Sequence, residues 1–126
     1  MRTIENDLLT EKIIGCAIEV HRGLGPGLLE SAYEKCLCFE LEQVQLRHVK
    51  EVPLPIIYKS VRLDCGYRMD IVVEGQIVIE LKTVDRLAPI HEAQLLTYLK
   101  LSRIKTGLLL NFNSATLREG LRRLVL

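Results

Sequence analysis

The sequence predicts an α+β fold, an α/β sandwich with a mixed central sheet flanked by helices in the order αα-ββββ-α-ββ. The prediction rests on helical apolar stripes before residue 44, on β-type residues broken by Pro and Gly from about 45 to 83, and on a return to helical spacing before a nearly all-apolar run at 106–112. A meander followed by a helix and then a buried strand favours a mixed sheet over a doubly wound one.

Asp7 is a candidate N-cap, and Leu8, Leu9, Ile13, Cys16, Ala17, Val20 and Leu24 follow it in a helical stripe. The Gly-Leu-Gly-Pro-Gly run at 23–27 must stop that helix, because glycines and proline so close together favour turns. A second helix is expected over 28–43, with Ala32, Tyr33, Cys36, Leu37, Glu40 and Leu41 on or near its inner side. Pro53 and Pro55 then forbid helix and suit an edge strand or a strand entrance for the segment holding Val49, Val52, Leu54, Ile56, Ile57 and Tyr58. Residues 61–65, 67–73 and 76–83 continue as an antiparallel meander, punctuated by Gly66 and by Glu74-Gly75. Helical spacing returns from 87 to 102, where Leu87, Ile90, Gln94, Tyr98 and Leu101 share a face. The run at 106–112 suits a strand covered on both faces, and 117–126 closes the sheet as an edge strand in preference to a short helix.

The chain of 126 residues is 48% hydrophobic, enough for one self-sufficient core and too short for a second, so a single domain over 1–126 is expected. Its 26% charged residues and net charge of +1 exclude a disordered acidic tail and a histone-like polycation, so any nucleic-acid contact must come from a local basic patch. Acids near the N-terminus stand where a secretory signal needs an apolar run, and no stretch has the ~18 apolar residues of a membrane span. The chain therefore reads as soluble and cytoplasmic, with no membrane partner. Its four cysteines form no CxxC pair and read as reduced, buried thiols rather than metal ligands. His21, at the end of the first helix, suits the helix dipole better than metal ligation.

The chemistry is concentrated in residues 67–82. Glu80 and Lys82, two apart on a strand, leave by one face while Ile79 and Leu81 enter the other. Asp70 lies one hairpin arm earlier, and parity decides where it points: a two-residue loop at Glu74-Gly75 would send it to the opposite face, and an odd-length connection would bring it to the face of Glu80. Two carboxylates converging there repel each other unless an oxygen-seeking divalent cation lies between them. Asp70, Glu80 and the carbonyl of Leu81 would hold Mg²⁺, and Lys82 would orient an attacking water or neutralise charge growing on phosphorus. This set of groups suits phosphodiester hydrolysis.

The D-x9-E-x-K spacing resembles the PD-(D/E)XK nuclease superfamily, and Gly27-Leu-Leu-Glu30-Ser-Ala-Tyr33 is similar to the signature of its GxxExxY branch. Glu19-Val20-His21, Tyr67-Arg68-Met69-Asp70 and Gln94-Leu-Leu-Thr-Tyr98 fall in the branch's order, and Met69 stands where the superfamily's name has Pro. The resemblance implies a restriction-endonuclease-like core and a Mg²⁺ site, open to Mn²⁺, at Asp70, Glu80 and Lys82. It adds an auxiliary acid at Glu30, counted with Asp70, Glu80 and Leu81 among the residues of the metal site, and a helical Gln94/Tyr98 pair beside it. Arg68 and Arg86, near this site, are the preferred phosphate contacts, with DNA as the expected substrate. With 5% aromatic residues the chain promises no stacking platform, so a homodimer or a partner protein would help hold substrate. The rival reading is a catalytically silent nuclease-fold module that binds nucleic acid or a protein.

Overall fold

The computed structural model describes residues 4–126, with side chains from Asn6 onward. Helices α1 (Ile4–Leu24) and α2 (Glu30–Gln43) lead into strands β1 (His48–Pro53), β2 (Ile56–Tyr58), β3 (Val61–Leu63), β4 (Arg68–Val73) and β5 (Ile77–Lys82). Helix α3 (Pro89–Ser102), β6 (Thr106–Asn111), a 3₁₀ turn (Arg118–Gly120) and β7 (Leu121–Val125) complete the chain. The main sheet has the order β1-β4-β5-β6-β7, with β5 and β6 parallel and the other neighbours antiparallel. This is the mixed α+β sheet that the sequence predicts.

The strand count departs from expectation. The segment expected as one strand splits at its prolines: β1 ends on Pro53, and Pro55 brings no N–H to a ladder. Between them the Leu54 N–H still donates to the Tyr67 carbonyl, at 2.8 Å. The chain then leaves the sheet, turns through left-handed Lys59 and Ser60, and returns so that β2 and β3 form a separate hairpin. Strand β1 therefore pairs directly with β4.

Helix α1 starts earlier than expected, so Asp7 lies inside it and its carboxylate meets Arg123 at 2.8 Å instead of capping. Leu8 and Leu24 face solvent, and the buried stripe is Leu9, Ile13, Cys16, Ala17 and Val20. These residues pack with Tyr33, Leu37 and Leu41 of α2 on one face of the sheet, over Ile71, Ile77, Ile79, Leu81, Leu108 and Leu110. Leu95, Tyr98 and Leu99 of α3 cover Val78 and Leu109 on the other. Burial on both faces explains why β5 and β6 are so apolar. Gly107 lets α3 come close, since a Cβ there would sit 2.9 Å from Leu95 Cδ1. Ile90 does not share the packed face of α3: it is 70% exposed. All four cysteines are free, but only Cys16 is buried as expected: Cys36 and Cys38 are half-buried and Cys65 is exposed. Among the described residues no helix is long and apolar enough to cross a membrane.

The turn between α1 and α2 is held by Tyr33. Gly25 and Gly27 adopt positive φ of 67° and 106°, and the fully buried Tyr33 ring stacks on Phe112 at 4.6 Å. Its hydroxyl donates to the Gly25 carbonyl at 2.5 Å and accepts the Leu28 N–H at 3.1 Å. One side chain thus fixes the entry to α2, whose first residue is Glu30. Tyr33→Phe should lower stability by about 1–3 kcal/mol, because it strands both backbone groups, and urea denaturation measures this.

Candidate active site

The β4–β5 hairpin decides the geometry. Val73 faces Ile77 across the ladder, so the connection is the three-residue Glu74-Gly75-Gln76, with Glu74 and Gly75 at φ 54° and 64°. The odd length that a shared carboxylate face requires is present. Opposite pairs run through Val72 with Val78 to Ile71 with Ile79, and there the regular pairing ends. Beyond it side chains replace the ladder. Asp70 N–H donates to Glu80 Oε1 at 3.2 Å, and Leu81 N–H donates to Asp70 Oδ2 at 2.8 Å. Each carboxylate is therefore tied to the backbone of the other's strand.

Glu80 is only 5% exposed. Burial pushes its carboxyl up to about 9, and the Asp70 charge and a hydrogen bond between the two side chains add to the shift; Lys82 and the Asp70 N–H oppose it. A buried Glu80 carboxyl that resists losing its proton beside the Asp70 carboxylate marks a place where added positive charge would be favourable. Its donors are all oxygens, counting the Leu81 carbonyl, which suits a hard divalent cation. Among the described residues, however, no three His, Cys, Asp or Glu side chains gather into a metal-binding group. The cation site is at most a two-carboxylate one.

Lys82 and Glu80 leave β5 on the side of α3, as the alternation predicts. Lys82 Nζ donates to Gln94 Oε1 at 3.3 Å, and Gln94 Nε2 donates to the Tyr98 hydroxyl at 3.1 Å. Because an ammonium can only donate, this chain orients the Gln94 amide. Burial raises the Tyr98 hydroxyl's pKa, and the Glu80 charge raises it further.

Glu30 approaches from α2, at the sheet's end. The residue as a whole is exposed, yet crowding around its carboxyl raises its pKa against the pull of Lys82, and the Thr83 backbone donates a hydrogen bond to it. Asp70 acts on it too. Arg68 is exposed and pairs with Glu51 at 3.3 Å. Arg86 is not drawn into this cluster: it lines a separate cavity with Asp85, Asn113, Glu119 and Arg122. A larger cavity of about 680 Å³, between β1, β4 and the end of α3, lies away from the carboxylate pair and is walled by Val49, Val52, Leu54, Met69 and Ile104.

Sequence reasoning missed several contributors. Glu34, one turn after Glu30, feels burial first and then the charges of Glu51 and Asp70, all of which raise its pKa; the i,i+4 spacing was the available signal. Buried Asn111 clasps the loop after Lys82, accepting the Val84 N–H at 3.0 Å and donating to the Val84 carbonyl at 2.8 Å. His21 lies in the last turn of α1, as the sequence predicts, and what the sequence does not show is that it is buried with its Nε2 2.9 Å from the Ser114 carbonyl. Tyr67, 44% exposed, meets Tyr98 edge to face at 6.2 Å, so an aromatic corner exists where composition promised none.

A mixed sheet that delivers paired carboxylates and a lysine to the end of two adjoining strands is the frame of a restriction-endonuclease-like protein. The PD-(D/E)XK nuclease superfamily model matches residues 7–124, and the chain belongs to that superfamily. No curated protein and no solved structure matches it.

The Glu80 shift has a definite sign. Below the ordinary carboxyl value of 4.5 both folded and unfolded chains hold the proton; above it the unfolded chain releases it while the fold retains it, so stability falls as pH rises toward about 9. Without added metal, Glu80→Gln should remove this loss and raise the melting temperature at pH 8 by a few degrees, as a pH series of calorimetric melts would show.

Proposed function

We propose that this protein is a Mg²⁺-dependent nuclease of the GxxExxY branch, a single domain over 1–126 that hydrolyses phosphodiester bonds in DNA in the cytoplasm. The observation that carries this reading is the reciprocal tie of Asp70 and Glu80 to each other's strand, with Lys82 on the same face. Asp70, Glu80 and the Leu81 carbonyl would hold Mg²⁺ or Mn²⁺, with Glu30 at the rim. The bound ion supplies positive charge to polarise a phosphodiester oxygen.

The chain's own residues do the rest. Lys82, held by Gln94, orients the attacking water and offsets negative charge growing on the phosphoryl oxygens. Tyr98 holds the Gln94 amide with its oxygen toward Lys82. Glu30, its pKa raised, is suited to take up or return a proton at the edge of the site. Arg68 would exchange Glu51 for a substrate phosphate, and Arg86 would meet the strand farther along. A second copy or a partner protein would extend the grip on DNA.

Lys82→Ala should lower metal-dependent cleavage of a labelled DNA by about 10²–10⁴-fold. Asp70→Asn should abolish it and keep an acceptor for the Leu81 N–H, which Asp70→Ala would strand. The absence of a three-side-chain ligand group among the described residues favours the rival, a catalytically silent binding module. Calorimetric titration with Mg²⁺ and Mn²⁺ separates the two: uptake that Asp70→Asn removes supports the nuclease, and no uptake with no cleavage of DNA or RNA supports the silent module.

A further inference from the structure

A cavity of about 310 Å³ opens directly beside the Lys82–Gln94–Tyr98 chain. Gln94 and Tyr98 belong to both: their polar ends form the chain from Lys82, and they also help wall the cavity. Tyr67 and Tyr98 meet at an interplanar angle of 64°, which makes an aromatic corner. Ile56, Ile90 and Leu101 complete the apolar lining. Ile90, 70% exposed, adds a solvent-facing aliphatic wall. Polar groups are few and placed among these walls. His91 accepts the Ala88 N–H on Nδ1, which leaves Nε2 as an N–H donor, and Thr97 brings a hydroxyl.

A flat, mostly apolar ring with hydrogen-bonding edges fits such a lining, and the cavity has room for one such ring. The shared wall sets its neighbour: a phosphodiester lying against Lys82 brings the attached base to the aromatic corner. A base locked in a duplex cannot offer its faces to two tyrosines and three aliphatic side chains. We propose that this cavity binds one unpaired nucleobase of the strand being cut, so that the substrate class is single-stranded nucleic acid. The inference rests on the nuclease reading for the location of the phosphate and adds what selects the strand.

The parting of β2 and β3 from the main sheet now has a use. The excursion carries Ile56 to one wall of the cavity, and the chain returning from it carries Tyr67 to another, opposite α3.

The test separates base binding from cleavage. Asp70→Asn protein is titrated with a single-stranded DNA oligonucleotide carrying the fluorescent base 2-aminopurine, and with the same oligonucleotide in a full duplex. The single strand should bind more tightly, with its fluorescence quenched by stacking. Adding Tyr67→Ala or Ile90→Glu, both at exposed positions, should weaken single-strand binding by about tenfold or more, and Tyr67→Phe should restore it. Equal or tighter binding of the duplex, or binding and quenching indifferent to Tyr67 and Ile90, would overturn the proposal. Quenching that depends on Tyr67, in a parent protein that cuts nothing with Mg²⁺ or Mn²⁺, would refute the nuclease reading and leave the base site standing.

Discussion

The site depends on a place where two strands stop pairing. Past Ile71 and Ile79 the β4–β5 ladder gives way, and carboxylates take over the work of backbone carbonyls, one accepting the Asp70 N–H and the other the Leu81 N–H. An amide N–H buried without an acceptor would be costly, so the fold needs a side-chain oxygen at each of these two positions, and the two acids supply it. That double duty keeps Glu80 buried, where a charge is disfavoured, and sets the Asp70 carboxylate beside it. The raised Glu80 pKa is the visible result.

The surroundings hold this arrangement from three directions. Tyr33 fixes the Gly-Pro-Gly turn and with it the start of α2, which carries Glu30 and Glu34 to the sheet's end. Helix α3 arrives through the crossover between parallel β5 and β6, close over Gly107, and supplies Gln94 and Tyr98. Asn111 clasps the loop between them from the end of β6. None of these supports touches the carboxylate pair through a charge of its own except Glu30 and Glu34, so the electrostatics of the pair can be altered with little change to the frame.

Much of this was legible in the sequence because it follows from periodicity and parity. The alternation within Ile-Val-Ile-Glu-Leu-Lys places Glu80 and Lys82 on one face, and a shared carboxylate face requires the odd hairpin connection that the chain has. The unbroken apolar run of β6 announced burial on both sides. What stayed hidden involves contacts between residues remote in the sequence or features with no period. Asp7 looked like a cap because its partner Arg123 lies at the other end of the chain. Tyr67 and Tyr98 form a corner that neither composition nor local spacing reveals. The separate hairpin of β2 and β3 is not legible in the sequence, because Pro53 and Pro55 show where a ladder must fail but not where the chain goes next. Ile90 kept helical spacing with its neighbours and still faces outward, since position on a stripe does not say whether anything lies opposite it.

The connection of Glu74, Gly75 and Gln76 constrains how this chain can change over evolutionary time. Inserting or deleting one residue there would turn every later side chain of β5 over, sending Glu80 and Lys82 under α1 and α2 and turning Ile79 and Leu81 toward α3, unless a compensating bulge arose nearby. Length variants of this bend that keep their function should therefore differ by even numbers of residues, a counting rule imposed by the pleat alone.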